Sequence, residues 1–149
     1  MVENALGRSV SHIFEQSGEE AFRRAETLAL QRLLLIPDSV VATGGGAVLR
    51  EENWDYMRAS GLVCYLKVSP EESLRRTEGD MNRPLLNAPD RLARLRDLLI
   101  ARASWYERAE VCIEAEGRPA VEVVRELVSR YQAWKSGGLI HSDEPHETS

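Results

Sequence analysis

A ten-residue run that ends in glycines constrains this chain more than any other feature. Residues 39–48 read Ser-Val-Val-Ala-Thr-Gly-Gly-Gly-Ala-Val, in which a β-branched stretch leads into Gly44, Gly45 and Gly46. β-Branched residues favour a buried strand, and consecutive glycines let the backbone come very close to a ligand. Taken alone, the run fits a flexible strand-to-helix turn as well as a site whose backbone N–H groups bind a polar small molecule.

Composition and charge set broad limits on the class of protein. The 149 residues suffice for about one domain with a buried core, and 43% hydrophobic and 29% charged residues are typical of a soluble globular protein. A net charge of −5 argues against a general nucleic-acid surface. No apolar run approaches the roughly 18 residues of a membrane span, and the N-terminus does not resemble a signal peptide. We therefore expect a cytoplasmic protein without nucleic-acid or membrane partners.

The cysteines and histidines do not indicate a disulfide or a metal centre. Cys64 and Cys112 each lie inside a predicted strand, so we expect two buried, reduced thiols. The three histidines, His12, His141 and His146, lack the spacing of a metal cluster. The sequence therefore predicts no metal site built from these side chains.

Helix and strand signals alternate along the chain, which favours parallel strands joined by helices and hence an α/β fold. Strands are predicted over residues 39–43, 62–68 and 111–115. Helices are predicted over residues 9–16, 19–35, 51–60, 70–78, 91–109 and 119–135. The clearest helix start has Ser69 as N-cap, Pro70 at the first position and Glu72 three residues after the cap. Residues 80–90 are expected to form a loop, and residues 136–149 a disordered polar tail.

Four arginines placed around the predicted sheet carry the candidate chemistry. Arg23 and Glu26 are three residues apart on one helix, so the carboxylate can hold the guanidinium ready for an anionic ligand. Arg83 lies in the loop Asn-Arg-Pro-Leu-Leu, which could bring a positive charge over a phosphate. Arg102 lies on the long helix, and Arg76 ends the helix after the second strand. Each arginine alone is more typical of a solvated surface, but the order and spacing of the four are a stronger signal than any one of them.

Taken together, these motifs resemble those of shikimate kinases over about residues 7–132. The segments that carry the resemblance are Gly7-Arg-Ser-Val10, Ile13-Phe14, Gly18-Glu-Glu-Ala-Phe-Arg-Arg24, Glu26, Gly44-Gly-Gly-Ala47, Tyr65-Leu66, Arg75-Arg-Thr77, Arg83-Pro-Leu-Leu86 and Arg102-Ala103 with Tyr106. The Gly-Gly-Gly-Ala element, with Phe-Arg-Arg before it and Arg-Pro-Leu-Leu after it, separates this family from gluconate and nucleoside monophosphate kinases.

The resemblance implies a fold, a reaction and a set of site residues. The fold would be α/β, a three-layer parallel-sheet P-loop kinase-like fold similar to that of nucleoside monophosphate kinases. The reaction would be phosphoryl transfer from ATP, with Mg²⁺, to the 3-hydroxyl of shikimate in aromatic amino-acid biosynthesis (the chorismate pathway). The residues that would bind shikimate are Arg23, Glu26, Gly44, Gly45, Gly46 and Arg102. The residues that would contact the nucleotide are Arg76, Arg83, Arg118 and Pro119, with Arg83 also the catalytic arginine of the lid.

The sequence departs from the family pattern in two respects. Its 149 residues contain no Walker A segment (Gly-x-x-Gly-x-Gly-Lys-[Ser/Thr]) and no strand ending in Asp-x-Asp before the Gly-Arg-Ser element. The ligands for the ATP phosphates and Mg²⁺ would therefore be missing. We expect residues 1–135 to form an N-terminally truncated kinase-like domain without its first βαβ unit, inactive as an isolated chain.

The same departure affects the expected stability and leaves the function open. A missing central strand would leave inner sheet edges unpaired, so we expect marginal stability and a tendency to self-associate. Either the remaining strands close the gap, or another chain fills it, or the domain is only partly ordered. The chain is then either an incomplete shikimate kinase or a non-catalytic shikimate-binding or assembly module. A sibling kinase that acts on another small polyol or acid is a third alternative.

Overall fold

The computed structural model describes residues 10–76 and 90–137. Five helices alternate with two strands in this part of the chain. In chain order they are α1 (Val10–Leu34), a 3₁₀ turn (Ala47–Leu49), α2 (Glu51–Ser60), β1 (Cys64–Lys67), α3 (Pro70–Arg76), α4 (Arg91–Tyr106), β2 (Val111–Glu114) and α5 (Ala120–Lys135).

The two strands form a parallel pair, as the alternation of helices and strands predicts. Cys64 lies opposite Val111, and Lys67 lies opposite Glu114 at the other end of the register. Both strands are slightly shorter than predicted. Because α3 and α4 lie between them in the chain, β1 and β2 are joined by a helical crossover, the connection that parallel strands require.

The predicted strand over residues 39–43 is wrong. The described structure has no strand there, and the side chain of Val40 is 93% exposed. A strand exists only where a neighbour takes up its backbone N–H and C=O groups, and in the described part of the chain β1 and β2 pair only with each other. Residues 39–43 therefore do not pair with β1, and the gap expected between these two segments is not closed in the described structure.

The helices follow the sequence signals more closely. The helical span α1 is interrupted at Gly18, whose φ of 77° and ψ of 170° are not helical, so it consists of the two helices predicted. Ser69 caps α3 as expected, since its hydroxyl accepts the N–H of Glu72 at 3.1 Å. Asp90 caps α4 in the same way through the N–H of Ala93 at 2.9 Å. The predicted end of α3 before Gly79 and the loop and tail predictions lie outside the described residues, apart from residues 90, 136 and 137.

Two apolar clusters form the core. The first joins α1, the 3₁₀ turn and α2, and its buried members are Leu30, Val48, Trp54 and Met57. The second packs β2 against α5 through the buried residues Val111, Ile113, Ala115 and Val123. The first cluster includes Val48 of the 3₁₀ turn, which directly follows the glycines in the chain.

One thiol is not where the sequence predicted it. Both cysteines are free, as expected, and Cys64 is half-buried. Cys112, however, is exposed, because burial alternates along β2 and its side chain lies on the opposite face from Val111 and Ile113. Burial and the nearby Glu110 raise the pKa of the Cys64 thiol to about 11. No helix in the described residues is long and apolar enough to cross a membrane.

Candidate active site

The glycine segment 44–46 is anchored from its C-terminal side. The N–H of Ala47 donates to the carbonyl of Gly44 at 3.0 Å, which begins the 3₁₀ turn. The turn is held by α2: Asn53 Nδ2 donates to the Ala47 carbonyl at 2.7 Å, and Trp54 Nε1 donates to the Val48 carbonyl at 2.8 Å. Asn53 and Trp54 are 0% and 1% exposed, so these bonds are sheltered from competing water. The glycine segment is therefore followed in the chain by a turn that buried hydrogen bonds hold in place.

Helix α1 places a buried guanidinium against the last glycine. Arg23 is only 8% exposed, and its Nη1 donates to Glu26 Oε2 at 2.7 Å while its Nη2 donates to Glu19 Oε1 at 3.3 Å. A Cβ built on Gly46 would lie 2.6 Å from Arg23 Nη2, closer than real Cβ atoms approach. A side chain at position 46 would therefore displace the guanidinium from its place against the backbone.

Helix α4 holds the middle glycine from another direction. Arg102 Nη1 and Tyr106 Oη both donate to the Gly45 carbonyl, at 3.2 Å and 2.8 Å. Gly44, the first of the three, lies beside Glu26, whose Oε1 would be 3.4 Å from a Cβ at that position. The three glycines are therefore contacted by the three charged residues predicted to bind substrate together with them.

The two arginines of this cluster differ in their charge balance. Arg23 is paired with Glu19 and Glu26, so much of its charge is compensated. Arg102 is half-buried, and no carboxylate in the described part of the chain pairs with it. Its guanidinium has donors in excess of its one bond to Gly45. Such a cation beside a backbone surface without side chains can bind the carboxylate of a small polar ligand.

Three of the four residues predicted to lie near the nucleotide are described, and they lie at the end of β2. Arg76 Nη2 donates to the Ala115 carbonyl at 2.9 Å, and Arg118 Nη1 donates to the Glu114 carbonyl at 2.9 Å. Pro119 is the exposed N-cap of α5, immediately after Arg118. Two cations from different segments therefore lie beside one strand end.

Acidic side chains hold these two arginines in place. Arg76 Nε donates to Glu72 Oε1 at 2.7 Å, and Arg118 Nη1 donates to Glu126 Oε2 at 2.7 Å. Hydrogen bonds from Arg75 and Arg76 lower the pKa of Glu72 to about 2. Both arginines are thus paired with carboxylates of the chain itself.

One predicted residue cannot be placed, and three contributors were not predicted. Arg83 lies outside the described residues, and its role in the lid stays a prediction. The sequence points to Tyr106 only through the motif with Arg102, although the spacing of four residues places both side chains on one face of α4. Asn53 and Trp54 carried no sequence signal, because their role depends on where the 3₁₀ turn packs.

The shikimate kinase family model matches residues 1–132. The chain belongs to the shikimate kinase family. A shikimate kinase of Neisseria gonorrhoeae is 44% identical over 128 residues, which are 85% of this chain and 96% of the relative. One from Bordetella pertussis is 43% identical over 135 residues, or 90% of this chain and 64% of the relative.

Solved structures of the family share the fold. The shikimate kinase of Acinetobacter baumannii in complex with shikimate matches with a TM-score of 0.84 and 35% identity, over 93% of this chain and 76% of that one. The enzyme of Aquifex aeolicus matches with a TM-score of 0.75 and 31% identity, over 92% and 80%. The predicted α/β, P-loop kinase-like fold class is thereby confirmed, and the chain is assigned to a family of ATP-dependent kinases.

Proposed function

We propose that this chain binds shikimate on the glycine segment 44–46, as the acceptor site for phosphoryl transfer from ATP to the 3-hydroxyl. One observation carries the proposal: Arg23 from α1 and Arg102 from α4 both contact this segment, at Gly46 and Gly45 respectively. The solved relative from Acinetobacter baumannii is a complex with shikimate, which supports this choice of ligand.

The chemistry of shikimate suits the arrangement. Its carboxylate would pair with Arg102 and Arg23, and its ring hydroxyls would lie against the backbone of Gly45 and Gly46. Glu26 keeps the Arg23 guanidinium oriented, so little side-chain entropy is lost on binding. Phosphoryl transfer depends mainly on positioning and on charge stabilisation, so the contribution of these residues is to hold the acceptor hydroxyl in place.

The residues present do not fit the phosphates of ATP or Mg²⁺. The 149 residues include no Walker A segment, and in residues 10–76 and 90–137 no three His, Cys, Asp or Glu side chains form a metal site. ATP supplies the transferred phosphoryl group in the proposed reaction. Because loss of a single oxyanion donor already costs on the order of 10²–10³ in rate, we propose that the chain alone does not turn over.

Calorimetric titration with shikimate tests the acceptor site. Arg102→Ala should weaken binding by about tenfold or more, since hydrogen bonds to charged groups contribute roughly 1.5–3 kcal/mol. Arg23→Ala should weaken it as well, although it also leaves Glu26 without its partner. The matched controls are Arg24→Ala on α1 and Arg94→Ala on α4, both exposed arginines of the same helices.

The outcomes separate the two parts of the proposal. Absence of binding to the wild-type chain, or equal losses in the controls, would overturn the acceptor site. Turnover of shikimate with ATP and Mg²⁺ in a coupled assay would overturn the proposed inactivity.

A non-catalytic shikimate-binding or assembly module is the second candidate, and the missing Walker A segment favours it. The cations Arg76 and Arg118, placed beside the end of β2, favour the kinase because a module that only binds shikimate has no use for them. A chimera that supplies the phosphate-binding segment distinguishes the two.

A further inference from the structure

Two donors from one helix fix the carbonyl of Gly45. Tyr106 Oη lies 2.8 Å from this oxygen and Arg102 Nη1 lies 3.2 Å from it. The tyrosine bond is the shorter, and its donor sits on a rigid ring rather than on a flexible stem. A Cβ at Gly45 would lie 2.8 Å from the Tyr106 hydroxyl, so only glycine permits this bond.

The tyrosine ring is itself held by β1. Tyr65 stacks on Tyr106 with ring centroids 4.8 Å apart and an angle of 12° between the planes. Offset stacking of this kind restricts the rotation of both rings and contributes to packing. The hydroxyl of Tyr106 is therefore aimed at Gly45 by the fold and not by the ligand.

The fixed carbonyl determines where the next amide points. In a trans peptide the C=O of one residue and the N–H of the next lie on opposite sides, and the described backbone contains no cis bonds. Turning the Gly45 carbonyl towards α4 therefore turns the Gly46 N–H away from α4. Among the described residues, no protein group accepts a hydrogen bond from this N–H.

We propose that Tyr106 is a positioning residue that, through the Gly45 carbonyl, orients the Gly46 N–H to donate to a ring hydroxyl of shikimate. This inference rests on the proposed function. The two side chains would then have different roles. Tyr106 orients the peptide between Gly45 and Gly46, and Arg102 has further N–H donors that can bind the shikimate carboxylate.

Tyr106→Phe tests the inference, since it removes the hydroxyl and keeps the ring that stacks on Tyr65. We expect shikimate to bind about three- to tenfold more weakly, the range of one net hydrogen bond. Tyr65→Phe is the matched control: it deletes the same group from the other ring of the stack, and the Tyr65 hydroxyl makes no hydrogen bond to the described residues. It should bind shikimate like the wild-type chain.

A second ligand separates positioning from a general structural effect. Cyclohex-1-ene-1-carboxylate has the carboxylate but none of the ring hydroxyls, so its weaker binding should be unchanged by Tyr106→Phe. In the wild-type chain, NMR should show the Gly46 amide signal shifting with shikimate and not with this analogue, a measurement that needs no variant.

Each outcome bears on one proposal or on both. An equal loss for the two ligands, or no loss for shikimate, would overturn the role of Tyr106 while leaving the acceptor site standing. Failure of the wild-type chain to bind shikimate at all would overturn the acceptor site and this inference together. A Gly46 amide signal that does not respond to bound shikimate would also contradict the inference.

Discussion

At the scale of single residues, the candidate site depends on the lack of a side chain at position 46. The guanidinium of Arg23 occupies the space where any other residue at position 46 would place its Cβ. Gly46 has an ordinary φ of −96°, so the requirement comes from the close approach and not from backbone conformation. A side chain at position 46 and the present position of the Arg23 guanidinium therefore exclude each other.

Gly46→Ala should displace Arg23 and abolish measurable shikimate binding, and overpacking should destabilise the fold by about 1–3 kcal/mol. The control is Gly61→Ala, because a Cβ at Gly61 meets nothing within 4 Å. Chemical denaturation gives the change in the free energy of unfolding, and calorimetry gives the binding. Equal stability of Gly46→Ala and Gly61→Ala would show that Arg23 moves aside without cost.

The residues of the site were more predictable than the contacts between them. The spacing of Arg23 and Glu26 predicted their pairing, because residues three apart share a helix face. The packing of Arg23 on Gly46 and the bond from Tyr106 to Gly45 join positions 23 and 61 residues apart in the sequence. No local pattern records such contacts, since they depend on how the helices pack.

At the scale of elements, helices were predicted better than strands. Helix ends are marked by local chemistry, as Ser69 and Asp90 show by capping the backbone of their own helices. Residues 39–43, three of which are β-branched, carry an equally clear strand signal, yet no strand forms there. A strand signal indicates suitability for pairing, whereas the strand itself requires a partner backbone.

Helix α3 should have a measurable dependence on pH through Glu72. The folded-state pKa of Glu72, about 2, lies below the ordinary value of 4.5 because Arg75 and Arg76 donate hydrogen bonds to its carboxylate. The stabilisation is therefore complete above pH 4.5 and is lost as the pH falls towards 2. The difference in free energy of unfolding between the wild-type chain and Glu72→Gln should narrow over that range.

The control for this experiment is Glu122→Gln on α5, where the described structure shows no ion pair for the carboxylate. Its difference from the wild-type chain should not show the narrowing expected for Glu72→Gln, because this substitution removes no ion pair of the described residues. A parallel pH dependence in the two variants would show that the ion pairs of Glu72 do not persist in solution.

At the scale of the whole molecule, the proposed acceptor site has more of its expected residues than the expected nucleotide site. The glycine segment has its arginines, its carboxylates and its rigid support, whereas the 149 residues lack a Walker A segment. Self-association through unpaired sheet edges and marginal stability remain predictions. The match to the Acinetobacter baumannii enzyme, at a TM-score of 0.84, indicates that the chain has the family fold.

A chimera tests whether the proposed acceptor site supports phosphoryl transfer. Joining it to an N-terminal segment of a family member that carries the Walker A sequence should produce ATP- and Mg²⁺-dependent phosphorylation of shikimate, measured in a coupled assay. Because Arg102 would pair with the shikimate carboxylate, Arg102→Ala in the chimera should lower kcat/KM by about tenfold or more, and Arg94→Ala should not. Replacing the Walker A lysine by alanine controls for contaminating kinases. A folded chimera that binds both ATP and shikimate but transfers no phosphoryl group would favour the non-catalytic binding module.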